Sequence, residues 1–238
     1  MEQIKNILYI NLDRRSDRKK SVESELEKVG FQNYKRFSAF DIKENPRLGC
    51  SSSHLHCIQY AKKNNWDMVM IVEDDIIFEN IDLFKKQLEM FLNSNIQWDM
   101  LLLAGNNCEP YEKVAPYALK IHNCQTTTGY IVKSHYYDTL TDNIRDGMKR
   151  LYQSKGADDN TIDMEWKVLQ NIDNWYLLWP PFIFQKDDYS DIEKRRVNYR
   201  LLMANPNHFR KLNSYQIEQY KTYMKHKAIP ILQKRMNS

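Results

Sequence analysis

Met68-Val-Met-Ile-Val-Glu-Asp-Asp-Ile-Ile-Phe78 decides how this chain is read. The five consecutive apolar residues Met68 to Val72 are enough for a buried strand and too few for a helix of their own. Glu73, Asp74 and Asp75 follow directly, and three carboxylates at a strand's end repel one another and resist desolvation. Something cationic must compensate them. Hard oxygen donors suit Mg²⁺ or Mn²⁺ better than zinc, and the carboxyl ends of strands are where open α/β sheets bind ligands. An acidic turn facing water is the plain alternative. The apolar strand before it and Ile76-Ile77-Phe78 after it argue against that alternative.

Outward from this stretch, strand-like and helix-like segments alternate. Ile7 to Ile10 reads as a first strand that ends in polar Asn11-Leu-Asp-Arg-Arg15. Ser16 can cap a helix carrying Val22, Leu26 and Val29 on one face, with Gly30 stopping it. Tyr34 to Phe40 reads as a second strand. Ser51, Ser52 or Ser53 can cap a helix running to about Lys63. After the acidic strand come a helix near Asp82–Leu92, strands over Trp98–Ala104 and Thr126–Val132, and a helix over Asp159–Gln170. Late strands fall at Trp175–Leu178 and Phe182–Phe184. This order predicts an α/β fold with a mainly parallel central sheet flanked by helices. No internal repeat or low-complexity segment interrupts it.

Composition sets limits on that reading. The 238 residues suffice for one sizeable α/β domain, and 42% apolar with 28% charged residues is ordinary for a globular protein. No apolar run approaches the roughly 20 residues that span a bilayer, and no signal-peptide pattern opens the chain, so a cytoplasmic location is expected. Cys50, Cys57, Cys108 and Cys124 show no Cys-x-x-Cys spacing. Cys50, His54, His56 and Cys57 lie close together but match no common zinc spacing, and free, mostly buried thiols are the reading adopted. From Ile192 to Ser238 eleven basic residues face two acids, a local charge of +9 that leaves −5 on the rest of the chain. Such a tail can meet nucleic acid, an anionic membrane or only solvent. It lacks the interleaved aromatic or motif context of nucleic-acid modules, so no nucleic-acid partner is expected. Residues 1–192 are read as one domain and 193–238 as a basic, mostly helical extension. Ile217, Tyr220, Met224, Ala228, Ile231 and Leu232 recur there at helical spacing, a side that can pack on the preceding domain, the plainer reading, or lie on an anionic membrane, and Pro230 is expected to kink or end that helix near Ile229.

No G-x-G-x-x-G or Walker lysine loop is present, which disfavours Rossmann dinucleotide and P-loop nucleotide binding. Asn11-Leu-Asp-Arg-Arg15, at the end of the first strand, is either a polar loop or a source of Asn and Asp hydrogen bonds to a base and ribose with arginine near phosphate. Each remaining motif is weak alone, but their order is specific. Tyr9-Ile-Asn-Leu-Asp-Arg-Arg-Ser-Asp-Arg18, Phe37-Ser-Ala-Phe-Asp41, Gly49-Cys-Ser-Ser-Ser-His54 and Val72-Glu-Asp-Asp-Ile-Ile-Phe78 come first. Trp98-Asp-Met-Leu-Leu-Leu103, Thr127-Thr-Gly-Tyr-Ile131, Ile162-Asp163, Pro181, Gln185 and Ser190-Asp-Ile192 follow. Over roughly residues 5–192 the chain resembles glycosyltransferase family 25, the lipooligosaccharide and collagen galactosyltransferase group. It departs from the family pattern in having Ile42 after Asp41 where the family has Gly, and in a short stretch from Asp41 to Gly49.

That resemblance implies a GT-A-like nucleotide-sugar-binding domain. It also implies an inverting, metal-dependent transfer of galactose or glucose from a UDP-sugar to a glycan, lipid-linked glycan or glycoprotein acceptor. Glu73-Asp74-Asp75 takes the place of the DXD-like motif, with Glu73 and Asp75 holding Mn²⁺ or Mg²⁺ and Asp74 facing the donor. Ser53, His54, Thr128, Gly129, Tyr130 and Gln185 would lie around the donor with Asn11, Asp13, Arg14 and Arg18. Asp163 is the expected general base, with Glu165 and Asp159 its competitors. A bacterial surface-glycan enzyme or one from a large virus fits the chain. Two readings from other classes stand beside this one: a metal-dependent phosphodiesterase or nuclease, and a non-catalytic sugar-binding module on the same fold.

Overall fold

The computed structural model describes residues 3–154, 160–206 and 211–237. In chain order the first elements are β1 (Ile7–Asn11), α1 (Ser16–Val29), β2 (Tyr34–Ser38), α2 (Pro46–Lys63), β3 (Met68–Glu73), β4 (Ile76–Phe78) and α3 (Ile81–Leu92). Then come β5 (Met100–Leu102), β6 (Asn106–Asn107), β7 (Tyr111–Ala115), β8 (Ala118–Ile121), β9 (Cys124–Gln125), β10 (Gly129–Lys133) and α4 (Tyr137–Gln153). The chain continues through α5 (Ile162–Glu165), α6 (Lys167–Gln170), β11 (Trp175–Leu178), β12 (Ile183–Gln185), β13 (Asp188–Ser190), β14 (Arg195–Val197), α7 (Arg200–Ala204) and α8 (Ser214–Met236).

Eight strands form the central sheet in the order β2-β1-β3-β10-β5-β11-β8-β7. β1 pairs in parallel with β2 and β3, and β5 with β11, whereas β10 and β8 run against their neighbours. Six of the eight strands therefore point one way, the mainly parallel α/β class expected from the sequence. Both faces are covered. On one, Ile7, Tyr9, Met70 and Val72 pack with Val22 and Leu26 of α1 and Phe84, Leu88 and Phe91 of α3. On the other, Leu8, Ile10, Val69 and Ile71 pack with Leu55 and Ile58 of α2 and Leu140 and Ile144 of α4. Burial on both faces is why β3 reads as an unbroken apolar run rather than an alternating one.

Several local expectations need correction. Ser16 is the first residue of α1 rather than its cap, and the Arg15 side chain at the cap position makes no capping hydrogen bond among the described residues; Gly30 does end it, at φ 87°. Ser51, Ser52 and Ser53 lie inside α2, which begins at Pro46, and the Asn45 side chain accepts from the Leu48 amide instead. The sequence reading took the serines as the start because the apolar periodicity first becomes clear at Leu55, after a polar opening turn. The strand expected from Thr126 begins only at Gly129, because Thr126 sits at φ 89°, outside strand geometry. The helix expected over 159–170 is two short helices, α5 and α6, and Asp159 lies outside the described residues. The sequence reading left α4 unassigned, although Tyr137, Leu140, Ile144 and Leu151 are buried at helical spacing.

The helix expected in the tail is present but does not end near Ile229. α8 runs through Pro230 to Met236, with both Pro230 and His226 exposed, so water can meet the carbonyl that proline leaves without a donor. A reciprocal cap between Asn213 and Gln216 starts the helix. Ala228 is buried in the core, the Tyr220 hydroxyl donates to the His122 carbonyl at 2.7 Å, and Arg235 pairs with Asp173 at 2.7 Å. Among the described residues no helix is long and apolar enough to cross a membrane.

Candidate active site

β1 and β3 end side by side at Asn11 and Glu73, and antiparallel β10 begins beside them at Gly129. Asp74 and Asp75 occupy the turn from β3 to β4. β4 pairs with β12 so that Ile76 faces Gln185, which brings a residue from far along the chain to the acidic turn. A cleft opens over these strand ends in two lobes that share Cys50, Glu73, Gln185, Ser190 and Ile192. The first lobe, about 150 Å³, is lined by Asn11, Arg14, Arg18, Ser53, His54 and the whole acidic triplet, with Phe40 to Lys43 as one wall. The second, about 670 Å³, is lined by Asp163, Thr126, Thr127, Asn106 and Tyr199 among others. Glu73 sits where the lobes meet.

The three carboxylates have different sets of partners, with Arg18 shared by Asp74 and Asp75. Glu73 Oε1 accepts from the Thr127 hydroxyl at 2.7 Å and lies 3.2 Å from His54 Nε2 and 3.7 Å from Cys50 Sγ. Burial, the largest single influence, would raise its pKa, but His54, the Thr127 hydroxyl and the charge of Arg18 together outweigh it and hold Glu73 below the ordinary carboxylate value. Asp74 is used on both oxygens, by Asn11 Nδ2 at 2.6 Å and by the Arg18 guanidinium at 3.0 Å, and its pKa is raised by burial. Asp75, 7% exposed, accepts from Gln185 at 2.9 Å and from Arg18 at 3.2 Å through Oδ2, while its buried Oδ1 has no partner among the described residues. Burial, with the charge of Glu73 added, pushes Asp75 up to about 7. The cation demanded by the sequence is Arg18, and it compensates only part of the charge.

Arg18 also reaches Asp188 at 3.1 Å and the Tyr189 carbonyl at 2.9 Å. Arg14 pairs with Asp41 and Asp191, and Arg15 with Asp17, Asp188 and Asp191. These pairs tie the β13 segment across the mouth of the first lobe, a role for Arg15, Asp188 and Asp191 that the sequence reading missed. Their wide separation along the chain gave no local signal. Asp13 points away from the cleft, where it accepts from Arg36 at 2.6 Å and from the Ser38 hydroxyl at 2.8 Å.

Asp163 lines the second lobe. Its Oδ2 accepts from the Thr126 amide at 3.1 Å and its Oδ1 from the Thr161 hydroxyl at 2.7 Å. Thr126 reaches this position at φ 89°, which a β-branched residue rarely adopts, so backbone strain is concentrated between the two lobes' carboxylates. Glu165 is elsewhere: buried under α4, it takes a bidentate pair from Arg150 at 2.9 and 2.6 Å and does not line the cleft. Thr128, Gly129 and Tyr130 are fully buried and line neither lobe. They act from behind: the Glu73 amide donates to the Thr128 carbonyl at 2.9 Å, and the Tyr130 hydroxyl lies 3.0 Å from His54 Nδ1, directing Nε2 at Glu73. Ser53 is likewise structural in its contacts, accepting from the Phe40 amide at 2.9 Å and donating to the Gly49 carbonyl at 2.8 Å, which fixes the wall of the first lobe.

Two donor sets could hold a cation. The unpartnered Oδ1 of Asp75 beside Asp74 and Glu73 offers a hard, all-oxygen environment that fits Mg²⁺ or Mn²⁺ supplemented by phosphate oxygens. Among the described residues, the three donors that already converge are Cys50, His54 and Glu73, within 4.8 Å of one another, a set suited to a softer ion. The grouping of Cys50 and His54 with His56 and Cys57 does not form: Cys57 is buried in the core and His56 Nδ1 lies against the Ser52 carbonyl at 2.8 Å. All four cysteines are free thiols.

Residues 45–150 match the family model described as glycosyltransferase family 25 (LPS biosynthesis protein). The matched stretch holds Cys50, His54, the acidic triplet and Thr127, while the resembling segments before residue 45 and after residue 150 lie outside it. No curated protein sequence matches the chain. Among solved structures, it is similar to a glycosyltransferase involved in glycosylation of the major capsid of PBCV-1, with 10% identity, TM-score 0.48, and coverage of 79% of this chain and 95% of that one. A197 from STIV is similar at 11% identity and TM-score 0.43, covering 75% of this chain and 83% of that one. A Drosophila beta-1,4-galactosyltransferase 7 variant in complex with manganese, UDP-Gal and xylobiose is similar at 12% identity and TM-score 0.34, over 58% of this chain and 52% of that one. The family match thus falls on the helix and strand that build the middle of the cleft, within an α/β fold whose central sheet is mostly parallel.

Proposed function

We propose that the protein transfers galactose or glucose from a UDP-sugar to a hydroxyl of a glycan, a lipid-linked glycan or a glycoprotein, with inversion and with Mn²⁺ or Mg²⁺ as cofactor. One observation carries this reading: the two lobes of the cleft meet at Glu73, with the incompletely compensated acidic triplet in one and Asp163 in the other. Asn11, Arg14 and Arg18 would receive the nucleotide and its phosphates in the first lobe, and Asp75 with Glu73 would hold the metal ion. When bound, that ion supplies positive charge to the diphosphate as the leaving group departs. Asp163, fixed by the Thr126 amide and the Thr161 hydroxyl, would take the proton of an acceptor hydroxyl. The new glycosidic bond forms at the anomeric carbon while the bond to UDP breaks on its far side, with the electron pair leaving on the diphosphate.

A cytoplasmic reaction is consistent with four unpaired thiols. On the same reading the exposed side of α8, with Lys221, Lys225 and Lys227 beside half-exposed Tyr223, touches an anionic membrane that bears a lipid-linked acceptor. Replacing those three lysines by glutamate in the full chain should abolish low-salt co-sedimentation with anionic vesicles, and equal sedimentation of both proteins would remove the membrane contact. The reaction itself is tested by a panel of UDP-sugars incubated with Mn²⁺ and no acceptor, with UDP release as the readout. One UDP-hexose should be hydrolysed slowly and EDTA should stop it. Absence of turnover on every nucleotide sugar, together with cleavage of a phosphodiester, would overturn the assignment.

A further inference from the structure

We propose that Lys167 is a positioning residue for the proton transfer at Asp163, its buried ammonium holding that carboxylate ionised from behind the second lobe. The inference rests on the glycosyl-transfer reading, in which Asp163 takes the acceptor proton, and adds a residue to it. Residues 162–170 form the two short helices α5 and α6, joined at Trp166, whose φ of −72° stays helical. One face of this stretch is bonded to the segment from Cys124 to Thr126. Asp163 accepts from the Thr126 amide at 3.1 Å, and the Trp166 indole donates to the Cys124 carbonyl at 3.1 Å. Gln170 donates to that same carbonyl and accepts from the Cys124 amide, both at 2.8 Å. Lys167, four residues after Asp163, belongs to this face by helical spacing. It is 7% exposed and lines neither lobe, so it acts on Asp163 without touching a substrate.

A lysine in this place destabilises the fold. Among the described residues no hydrogen bond reaches its ammonium, and burying a charge without one is unfavourable. Burial depresses its pKa; Asp163 opposes this most, then Cys108 and Cys124, and Lys227 of α8 adds to the depression. Attraction between two charges is mutual, so the ammonium that Asp163 sustains favours the ionised carboxylate in return. The direct partners of Asp163, the Thr126 amide and the Thr161 hydroxyl, carry no charge. Cys50 and Cys124 also lie within electrostatic reach of Asp163, but burial pushes both thiols up and keeps them neutral. Glu73, Glu193 and Arg47 share its lobe, where Glu73 is held by Thr127 and His54 and Glu193 by Arg195. A carboxylate must be ionised before it can take a proton, and Lys167 is the buried cation on its own helical face.

The test reads UDP release by the full-length protein from UDP-galactose and UDP-glucose at saturating Mn²⁺, with water as the acceptor. Removing the ammonium makes Asp163 easier to protonate, so the loss of rate is largest at low pH and disappears as pH rises. In Lys167→Met the acid limb of the kcat profile should move up by about one pH unit, the lower end of what a nearby charge does. On the limb that is about a tenfold fall in kcat. Above the limb kcat should stay within about twofold of the wild type, and UDP affinity should be unaltered. Lys167→Arg keeps the charge and should keep the wild-type limb. Lys167→Met should unfold at or above the wild-type temperature, because a buried charge is gone. Added to Asp163→Asn, it should cost no further activity. An unshifted limb, an equal loss at every pH or an additive loss in the double variant would overturn the proposal. Failure of both Lys167→Met and Lys167→Gln to fold would also overturn it, since the charge would then be structural. Failure of the underlying reading looks different: the wild type would release UDP from neither sugar nucleotide, or Asp163→Asn would keep the wild-type rate.

Discussion

Asp75→Asn separates metal binding from folding. Asparagine has the shape of aspartate, and its side-chain oxygen can still accept from Gln185 and Arg18, the contacts now made at 2.9 and 3.2 Å. What disappears is one negative charge in a buried turn where Asp75 is already raised to about 7 by desolvation and by Glu73. The metal-free variant should therefore unfold at the wild-type temperature or slightly above it. The metal response should be lost. For the wild type, Mn²⁺ at a hundred times its dissociation constant stabilises by about 2.7 kcal/mol. For a chain of this length each kcal/mol moves Tm by about 2–4 °C, so the expected rise is about 5–11 °C. Thermal unfolding of both proteins with EDTA, Mn²⁺ and Mn²⁺ plus UDP measures it directly. Transfer should fall by about 10²–10³, as for removal of one preorganised charge-stabilising group. A variant that keeps the wild-type Mn²⁺ shift and loses less than threefold in transfer would refute the assignment of Asp75 as a ligand.

Asp163→Asn should lower kcat on the order of a hundredfold or more and leave UDP affinity within about twofold, because Asp163 lies in the lobe away from the nucleotide end; a matching loss of UDP affinity in calorimetry would mark it as a donor ligand. Zn²⁺ added to the Mn²⁺-supported reaction should inhibit through Cys50, His54 and Glu73. Cys50→Ser should then raise the half-inhibiting Zn²⁺ concentration about tenfold or more, since a hydroxyl is the poorer zinc donor, and an unchanged inhibition curve would sink that site. Gly49→Ala should destabilise the protein by about 1–3 kcal/mol and weaken UDP-sugar binding. Its added Cβ would fall 2.4 Å from the Phe40 carbonyl oxygen, forcing the Phe40 to Lys43 wall to shift; a stable variant with unaltered donor KM would show that this wall does not touch the donor.

Much of the fold was legible because its signals are local. Apolar runs at Ile7–Ile10, Met68–Val72 and Trp175–Leu178 became strands of one sheet, and Gly30 ended α1 as its lack of a Cβ permits. The misplacements are equally instructive. Serine is a good N-cap, yet Ser51 to Ser53 lie inside α2 because Asn45 followed by Pro46 starts the helix a turn and more earlier. Thr128, Gly129 and Tyr130 were read as donor contacts from their place in a motif. The structure turns them inward, where they hold Glu73 and His54 rather than line the cleft. Thr127 of the same motif does line it, without having been given a role, and Asn106, which also lines it, carried no distinguishing pattern.

The sequence by itself determined an α/β chain, a buried strand ending in Glu73-Asp74-Asp75, and the demand that those charges be compensated. Apolar period and charge density act over a few residues and survive without knowledge of the partner. Only the tertiary structure decided who compensates whom. Arg18 from α1 reaches Asp74 and Asp75, Gln185 closes on Asp75 across the β4–β12 pair, and Thr127 and His54 take Glu73. Those partners lie 57, 110 and 54 residues from the carboxylates they meet in the cases of Arg18 with Asp75, Gln185 with Asp75 and Thr127 with Glu73. Strand order and register bring them together, and no local preference in the sequence encodes a distance across a sheet.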